Sequence, residues 1–406
     1  MGTVVSVRIE DRVPEHGHRR RRAVIATRIF APEPAAASLR LGALARALVD
    51  AGYAVDVLTT SSPTSGPADD PVGVDVSRWP ALRNADGYIR GYLGYLSFDI
   101  PLVLRIALHR RQDVVICEPP PTTGVAVRVA CAVRRIPYVY YAADLWSEAV
   151  KEVGVPRVIQ RVLARVERWV LDGAAEVLTV YPAMLIRIRS LGVEGPVTMA
   201  GHGADVSIFR PDGPWADAGG PYLVYAGTAS EVHGARIFTR AMSRVLEQVP
   251  QARLVVIGQG TERPMMEEDA RSLPTGSVVF HSRVDPVETA TWLRGARAAL
   301  VSVRPGPYGF ALATKVYAAA GCGTPVVHVG PGPGRDLVEA NDLGWAVDYD
   351  VERVAGAMVA ALSARPDAAA ASRRADWTLR TASLQAAARR AVEGVDRAIG
   401  RGTLHG

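Results

Sequence analysis

From residue 23 onward, short β-branched apolar runs alternate with longer stretches whose apolar residues recur at helical spacing. AVIATRIF (23–30) reads as a strand, LRLGALARALVDAG (39–52) as a helix closed by glycine, and YAVDVLTT (53–60) as a strand again. The rhythm continues through strand DVVICE (113–118), a helix from Thr123 to Arg134, strand YVYYAAD (138–144), helix VIQRVLARVERWVLDG (158–173), strand EVLTV (176–180), helix MLIRIRSLG (184–192) and strand PVTMAG (196–201). GADVSIFRPDGPWADAGGP (203–221) is dense in Gly, Pro and Asp and breaks the rhythm. A second series follows: strands YLVYAG, RLVVIGQG, VVFHSR, AALVSV and PVVHVG, with helices over 234–248, 262–272, 286–296, 315–321 and 334–340 between and after them. The Ala/Arg-rich end, 366–400, reads as helix and contains Trp377.

Alternation of this kind predicts α/β architecture with parallel sheets covered by helices on both faces. The expected organisation is a flexible tail at 1–21, a Rossmann-like doubly wound domain at 22–204, a linker at 205–220, a second such domain at 221–365, and helices over 366–406 that cross back to the first domain. In open parallel sheets ligands bind beyond the carboxyl ends of the strands, so the predicted site is the cleft where both sets of strand ends meet.

Composition changes this picture little. At 406 residues, 49% apolar and 22% charged, the chain has ordinary globular proportions and enough length for two cores. The net charge of +6 owes much to HGHRRRR near the start, so it defines no nucleic-acid face and fits a mildly basic cleft for a phosphorylated ligand or an anionic membrane. Cys117, Cys131 and Cys322 are odd in number, far apart and without CxxC spacing, which suggests neither a disulfide framework nor a thiolate metal site and points to a reducing cytoplasm. No apolar run is read as a membrane span, and the opening residues lack the apolar core of a signal peptide.

Individual loops carry the chemistry. AGTASEVHGAR, after the first strand of the second series, combines Gly227, Thr228 and His233 ahead of a helix: a seat for an anion, or a tight turn with a surface histidine. Lys315 opens a helix, where a cation opposes the helix dipole unless it meets an anion. The loop GPGPGRD (330–336) resembles a phosphate cradle, but its prolines remove amide donors, and structural turns are the better reading. Asp144 follows a strand and either points into the cleft or caps the next helix. His202, His233, His281 and His328 are scattered and predict no zinc site. No GxGxxG with a following acid marks a dinucleotide site.

Taken in order, these segments resemble GT-B glycosyltransferases of family 4, a retaining group that uses nucleotide-sugar donors. APEPAAASLRLGALARALVDAGYAVDVLTT is similar to the family's acceptor-side opening, EPPPTTG to its Pro-rich loop, YYAADLWSEA to its Asp-Leu-Trp motif and GHGADVSIFRP to its hinge. YAGTASEVHGA, RLVVIGQG and TKVYAAAGCGTPVV fall where the family places donor-binding loops. Two departures accompany the likeness. The Arg and Lys that grip the donor diphosphate in the family are replaced here by Thr228 and His233, and a pair of sugar-contacting glutamates falls on Phe310 and Ala318.

The resemblance implies Asp144 and Lys315 as catalytic residues. It implies donor contacts at Gly227, Thr228, His233, Arg283, Phe310, Thr314, Lys315 and Val316, and acceptor contacts at Glu33, Ala36, Arg40, Glu118 and Asp144. The implied reaction moves a sugar from a nucleoside-diphosphate sugar to a hydroxyl on a saccharide, lipid-linked or natural-product acceptor, with no metal or cofactor. Two alternatives stay open: a GT-B relative that couples or epimerises without ordinary transfer, and a silent nucleotide-sugar-binding protein. Interleaved arginines in RVIQRVLARVERWV fit either peripheral contact with an anionic membrane or an amphipathic helix packed on its own sheet. Oligomeric state is left open.

Overall fold

The computed structural model describes residues 20–33, 35–62, 70–84, 89, 91–148, 155–306 and 312–402. Its first sheet comprises β1 (Arg22–Ala26), β2 (Ala54–Thr60), β3 (Val74–Trp79), β4 (Val114–Cys117), β5 (Tyr138–Ala142), β6 (Glu176–Thr179) and β7 (Val197–Met199). All strands are parallel, in the order β3-β2-β1-β4-β5-β6-β7. The central strands are buried along their whole length, which is why they read in sequence as unbroken apolar runs. The helices fully within the described residues of this lobe are α1 (Ala36–Asp50), α2 (Gly91–Leu108), α3 (Pro121–Arg134), α4 (Arg157–Asp172) and α5 (Pro182–Ser190), and a further helix begins at residue 146.

A second parallel sheet contains β8 (Tyr222–Ala226), β9 (Arg253–Ile257), β10 (Val278–His281), β11 (Ala298–Ser302), β12 (Val326–Val329) and β13 (Gly344–Val347), ordered β10-β9-β8-β11-β12-β13. Its helices are α6 (Arg236–Gln248), α7 (Arg263–Ala270), α8 (Pro286–Gly295), α9 (Lys315–Gly321), α10 (Pro333–Ala340) and α11 (Val351–Ser363). Two distinct apolar clusters form its core, as expected of a sheet covered on both faces. Both sheets reverse strand order once, between β1 and β4 and between β8 and β11, and such switch points open a crevice at the strand carboxyl ends.

After this lobe, α12 (Ala368–Thr381) packs on α9, and α13 (Leu384–Gly402) returns to the first lobe against α1. Ala391, Val395 and Ala398 of α13 enter the same core as Val177 and Leu178. The two crossing segments touch: the Ala204 amide donates to the Ala382 carbonyl (2.9 Å), and the Leu384 amide to the Ala204 carbonyl (2.9 Å).

Several elements differ from the sequence reading. β3 and α2 lie in a stretch given no element, and so do β13 and α11, between the predicted helix over 334–340 and the helical end at 366–400. β3 is an edge strand whose residues alternate between partial burial and exposure, and VDVSRW has little apolar signal. α2 has 18 residues and a mean hydropathy of 1.3, enough by length and composition alone to cross a membrane, although it packs on the sheet. α6 begins at Arg236, two residues later than expected, because residues 231–235 form a turn in which Gly234 has φ 60°. Residues 1–19 of the expected tail lie outside the described residues. Arg20 and Arg21 are tied down, Arg20 Nε to the Gly52 carbonyl (2.9 Å) and Arg21 to Asp396 (3.0 Å).

Candidate functional site

At the carboxyl end of β8 the chain turns through Gly227, whose φ of 135° suits glycine. A Cβ there would stand 3.2 Å from Lys315 Nζ, so the missing side chain lets the lysine lie against the backbone. The next loop approaches as closely: a Cβ at Gly258 would meet the Gly227 carbonyl oxygen at 2.3 Å. The Gly227 amide donates to the Ile257 carbonyl and the Ala229 amide to the Gln259 carbonyl, both at 2.9 Å. These tightly joined loops form one wall of a cavity of about 620 Å³, with Thr228 and Gln259 on it, Arg283 across from them and Ala318 from α9. A larger cavity of about 890 Å³ lies at the amino ends of the strands, between the linker and α12, where Tyr222, Pro325 and Gly344 line it. Position at the strand carboxyl ends selects the smaller one as the candidate site.

Lys315 is held beside this cavity without a counter-ion. Its ammonium donates to the Tyr225 hydroxyl (2.8 Å) and sits 4.0 Å from the centroid of the Tyr225 ring, and no carboxylate pairs with it among the described residues. Burial of the charged form lowers its pKa to about 7. Tyr225 in turn donates to the Thr228 carbonyl (2.8 Å), which links the lysine to the glycine loop. His233 shares a hydrogen bond with Ser230 Oγ (2.8 Å). Burial, helped by the nearby Lys315 charge, lowers its pKa to about 4, so the imidazole is neutral at pH 7. The result is a pre-formed electropositive corner with a fixed lysine, neutral histidine, free hydroxyl at Thr228 and a solvent-facing Arg283.

In the first lobe, Arg40 and Glu118 form a buried ion pair (2.6 Å), and Thr27 Oγ1 also donates to Glu118 (2.8 Å). Arg40 lies over the Tyr141 ring at 5.1 Å, and its charge opposes the upward shift that burial imposes on Asp144. The Asp144 side chain opens to solvent among crowding protein walls, which accounts for the raised pKa of an accessible carboxyl. The helix that follows Asp144 is capped from elsewhere: the buried Glu167 of α4 accepts from the amides of Trp146 (2.8 Å) and Ser147 (3.0 Å). Asp144 therefore is not the cap, and it makes no hydrogen bond with another described residue.

Each sequence-predicted position among the described residues has a definite place. Gly227, Thr228 and Arg283 line the cavity, Lys315 and His233 adjoin it, and Thr314 is exposed at the start of α9 without a side-chain capping bond. Val316 departs from its expected donor contact: its side chain is fully buried in the core of the second lobe and its amide donates to the Ala313 carbonyl. Arg40 and Glu118 pair with each other in the floor of the first lobe, while the buried Arg40 Nε has no hydrogen-bond partner among the described residues. Glu33 pairs with Arg83 (2.6 Å), and Ala36 is exposed at the start of α1. Phe310 lies outside the described residues. His233 stands in the turn before α6, three residues short of the helix it was expected to head.

Tyr225 and Trp146 stood inside YAGTASEVHGA and YYAADLWSEA without a role of their own, and Arg28 and Tyr95 were not singled out. Arg28, just past β1, stacks on the Tyr95 ring at 4.2 Å, and Tyr95 meets Trp146 edge to face at 5.6 Å. Trp146 carried a signal as part of the Asp-Leu-Trp motif, and Arg28 as a cation close after a buried strand.

Two doubly wound parallel sheets with a glycine-walled electropositive cavity at one set of strand ends define a two-lobed α/β architecture. A family model described as Glycosyl transferase 4-like domain matches residues 36–203, and one described as Glycosyl transferases group 1 matches residues 220–364. The chain belongs to this glycosyltransferase family and has the GT-B fold. Glycogen synthase of Mycobacterium tuberculosis is 27% identical over 255 residues, covering 59% of this chain; the chain spans 60% of the length of that relative. Among solved structures, the Arabidopsis thaliana starch synthase IV catalytic domain bound to ADP and acarbose is similar with a TM-score of 0.68 at 12% identity, over 94% of this chain and 100% of that one. Anabaena HepE in complex with UDP and glucose is similar with a TM-score of 0.67 at 15% identity, over 92% and 99%. Likeness at such identities concerns the fold.

Proposed function

We propose that the protein transfers a sugar from a nucleoside-diphosphate sugar to a hydroxyl acceptor, with retention of anomeric configuration. The observation that carries this reading is the unpaired Lys315 ammonium, fixed by Tyr225 against Gly227 at the edge of the cavity. A cation already desolvated and oriented meets a diphosphate without rearrangement, and it stabilises the charge that grows on the phosphate as the sugar leaves. Thr228, the neutral His233 and Arg283 complete the seat. The anomeric carbon–oxygen bond to the phosphate breaks while the acceptor oxygen bonds to the same face of that carbon, and the acceptor's proton passes to the departing phosphate oxygen. Asp144, open in the cleft of the first lobe, orients the acceptor hydroxyl. This reading assigns no step to a metal ion or cofactor. Three free, buried cysteines agree with a cytoplasmic setting.

Complexes of UDP and ADP with proteins of the same fold support a nucleotide donor. A second reading, binding of a nucleotide sugar without transfer, is favoured by Ala318, which presents a methyl group to the cavity where the family pattern has a carboxylate. Incubation with a panel of nucleotide sugars, with and without hydroxyl acceptors, separates the two. Transfer predicts acceptor-dependent release of nucleoside diphosphate, reduced at least about tenfold by Lys315→Ala. Tight donor binding with no release under any pairing supports the silent reading.

A further inference from the structure

The outer face of the first lobe carries a surface that the transfer reaction does not use. α2, α3 and α4 lie side by side there, α2 packed on α3 and α3 on α4. Along α2, Tyr92, Leu96, Ile100, Leu104 and Leu108 recur every four residues and are between 43% and 83% exposed. Side chains four apart are neighbours on a helix, so these five form one continuous apolar strip. Val133 of α3 and Val162 and Trp169 of α4 extend exposed apolar surface beside it. A soluble protein ordinarily leaves such residues singly scattered, and a contiguous patch marks an interaction surface.

The inner side of α2 shows that it lies on the lobe. Asp99 accepts from Thr123 Oγ1 (2.7 Å), and Arg105 donates to the carbonyls of Thr59 (3.1 Å) and Ser77 (2.6 Å). These bonds hold the helix flat against its neighbours, with the strip facing out.

Charge selects the occupant. The charged residues of α3 and α4 are six arginines, the buried Glu167 and Asp172, while α2 has only the inward-facing Asp99 and Arg105. Arg157, Arg161 and Arg165 have no ion-pair partner among the described residues. An apolar strip edged by arginines matches a bilayer surface with anionic headgroups, in which apolar side chains enter the acyl boundary and guanidinium groups meet phosphates. A second copy of this chain on a two-fold axis would bring the same arginines together. We propose that α2, α3 and α4 form a docking face for an anionic bilayer. The strip begins beside the cleft, where Tyr95 touches Trp146, two residues beyond Asp144. Docking of this face sets the mouth of the first lobe at the lipid surface and gives a lipid-linked acceptor a short path to it.

Co-sedimentation of the full chain with phosphatidylglycerol-containing vesicles and with pure phosphatidylcholine vesicles, at low and high salt, tests the proposal. Wild type is expected to favour anionic vesicles by at least about tenfold, less so at high salt. Ile100→Glu with Leu104→Glu, and separately Arg161→Glu with Arg165→Glu, are expected to lose about tenfold or more while unfolding temperature and nucleotide binding stay unchanged. Trp215→Glu, an exposed aromatic in the linker, is the control that keeps vesicle binding. Equal binding to both vesicle types, retained binding by the Glu variants, or a dimer in solution that the Ile100/Leu104 variant abolishes would each overturn the proposal. Because these readouts need no sugar transfer, failure here leaves the transferase reading standing, and the converse holds.

Discussion

Lys315 holds a charge where the fold supplies no carboxylate to balance it. Its ordinary pKa of 10.5 falls to about 7 because burial penalises the ammonium, and a ligand that restores a negative neighbour must raise it again. The two phosphates of a nucleotide sugar do not titrate near neutrality, so binding should draw a proton onto Lys315 above pH 7. Nucleotide-sugar affinity is therefore predicted to fall as pH rises from about 7 to 9, with proton uptake visible by calorimetry in buffers of different ionisation heat. Lys315→Met should remove both effects. The sign for the ligand-free fold is separate: with the folded-state pKa depressed, the unfolded chain binds more protons between pH 7 and 10.5, so this group adds stability as pH rises through that window.

Arg40 and Glu118 make a contrasting pair, each neutralising the other inside the first lobe. Removing one partner by Arg40→Met leaves Glu118 buried and unpaired and is predicted to cost about 3–5 kcal/mol in denaturant unfolding, with the double change Arg40→Met/Glu118→Met much milder. Lys315 stood out in the sequence because a lone lysine among small residues at a helix start has no local explanation. Its partner Tyr225 was hidden, being one more apolar letter in a buried strand. The Arg40–Glu118 pair was equally unreadable, since 78 residues separate two residue types that each suit an acceptor site.

Among the elements, the close contact of α3 and α4 depends on a single missing side chain. A Cβ on Gly124 would lie 2.4 Å from Val170 Cγ1 and 2.9 Å from the Tyr140 ring. Gly124→Ala gains helix propensity of about 1 kcal/mol, yet it must push the packed helices apart, and a net loss of about 1–3 kcal/mol is predicted from the shift in denaturation midpoint. Val170→Ala placed with it should recover some of that loss.

The central strands were legible because burial on both faces demands continuous apolar residues, as in YVYYA of β5. β3 was not, because one edge of an edge strand meets water and its sequence alternates with polar residues. α2 escaped for a different reason. Pro101 and the glycines Gly91 and Gly94 read as breaks, and a helix apolar on inner and outer sides lacks the polar stripe by which amphipathic helices are found.

At the scale of the molecule, two lobes are joined by two crossings that meet at one place. Ala204, just before the linker, pairs with Ser383 between α12 and α13, and Tyr317 of α9 stacks on Trp377 nearby at 6.2 Å. Gly203 leaves room for this contact, since a Cβ there would meet the Ser383 carbonyl carbon at 2.2 Å. The crossing therefore lies against the helix that Lys315 begins, and α13 continues from it into the core of the first lobe. The Lys315 corner and the floor of the first lobe are thus tied through one short segment, as the proposed transfer between lobes requires.

The central claim is that this architecture grips a nucleoside diphosphate through Lys315. Equilibrium titration of wild type and Lys315→Ala with a nucleoside diphosphate and with the corresponding nucleoside tests it most directly. The substitution is expected to weaken diphosphate binding by about tenfold or more and to leave nucleoside binding unchanged. Equal diphosphate affinity in the two proteins would contradict it.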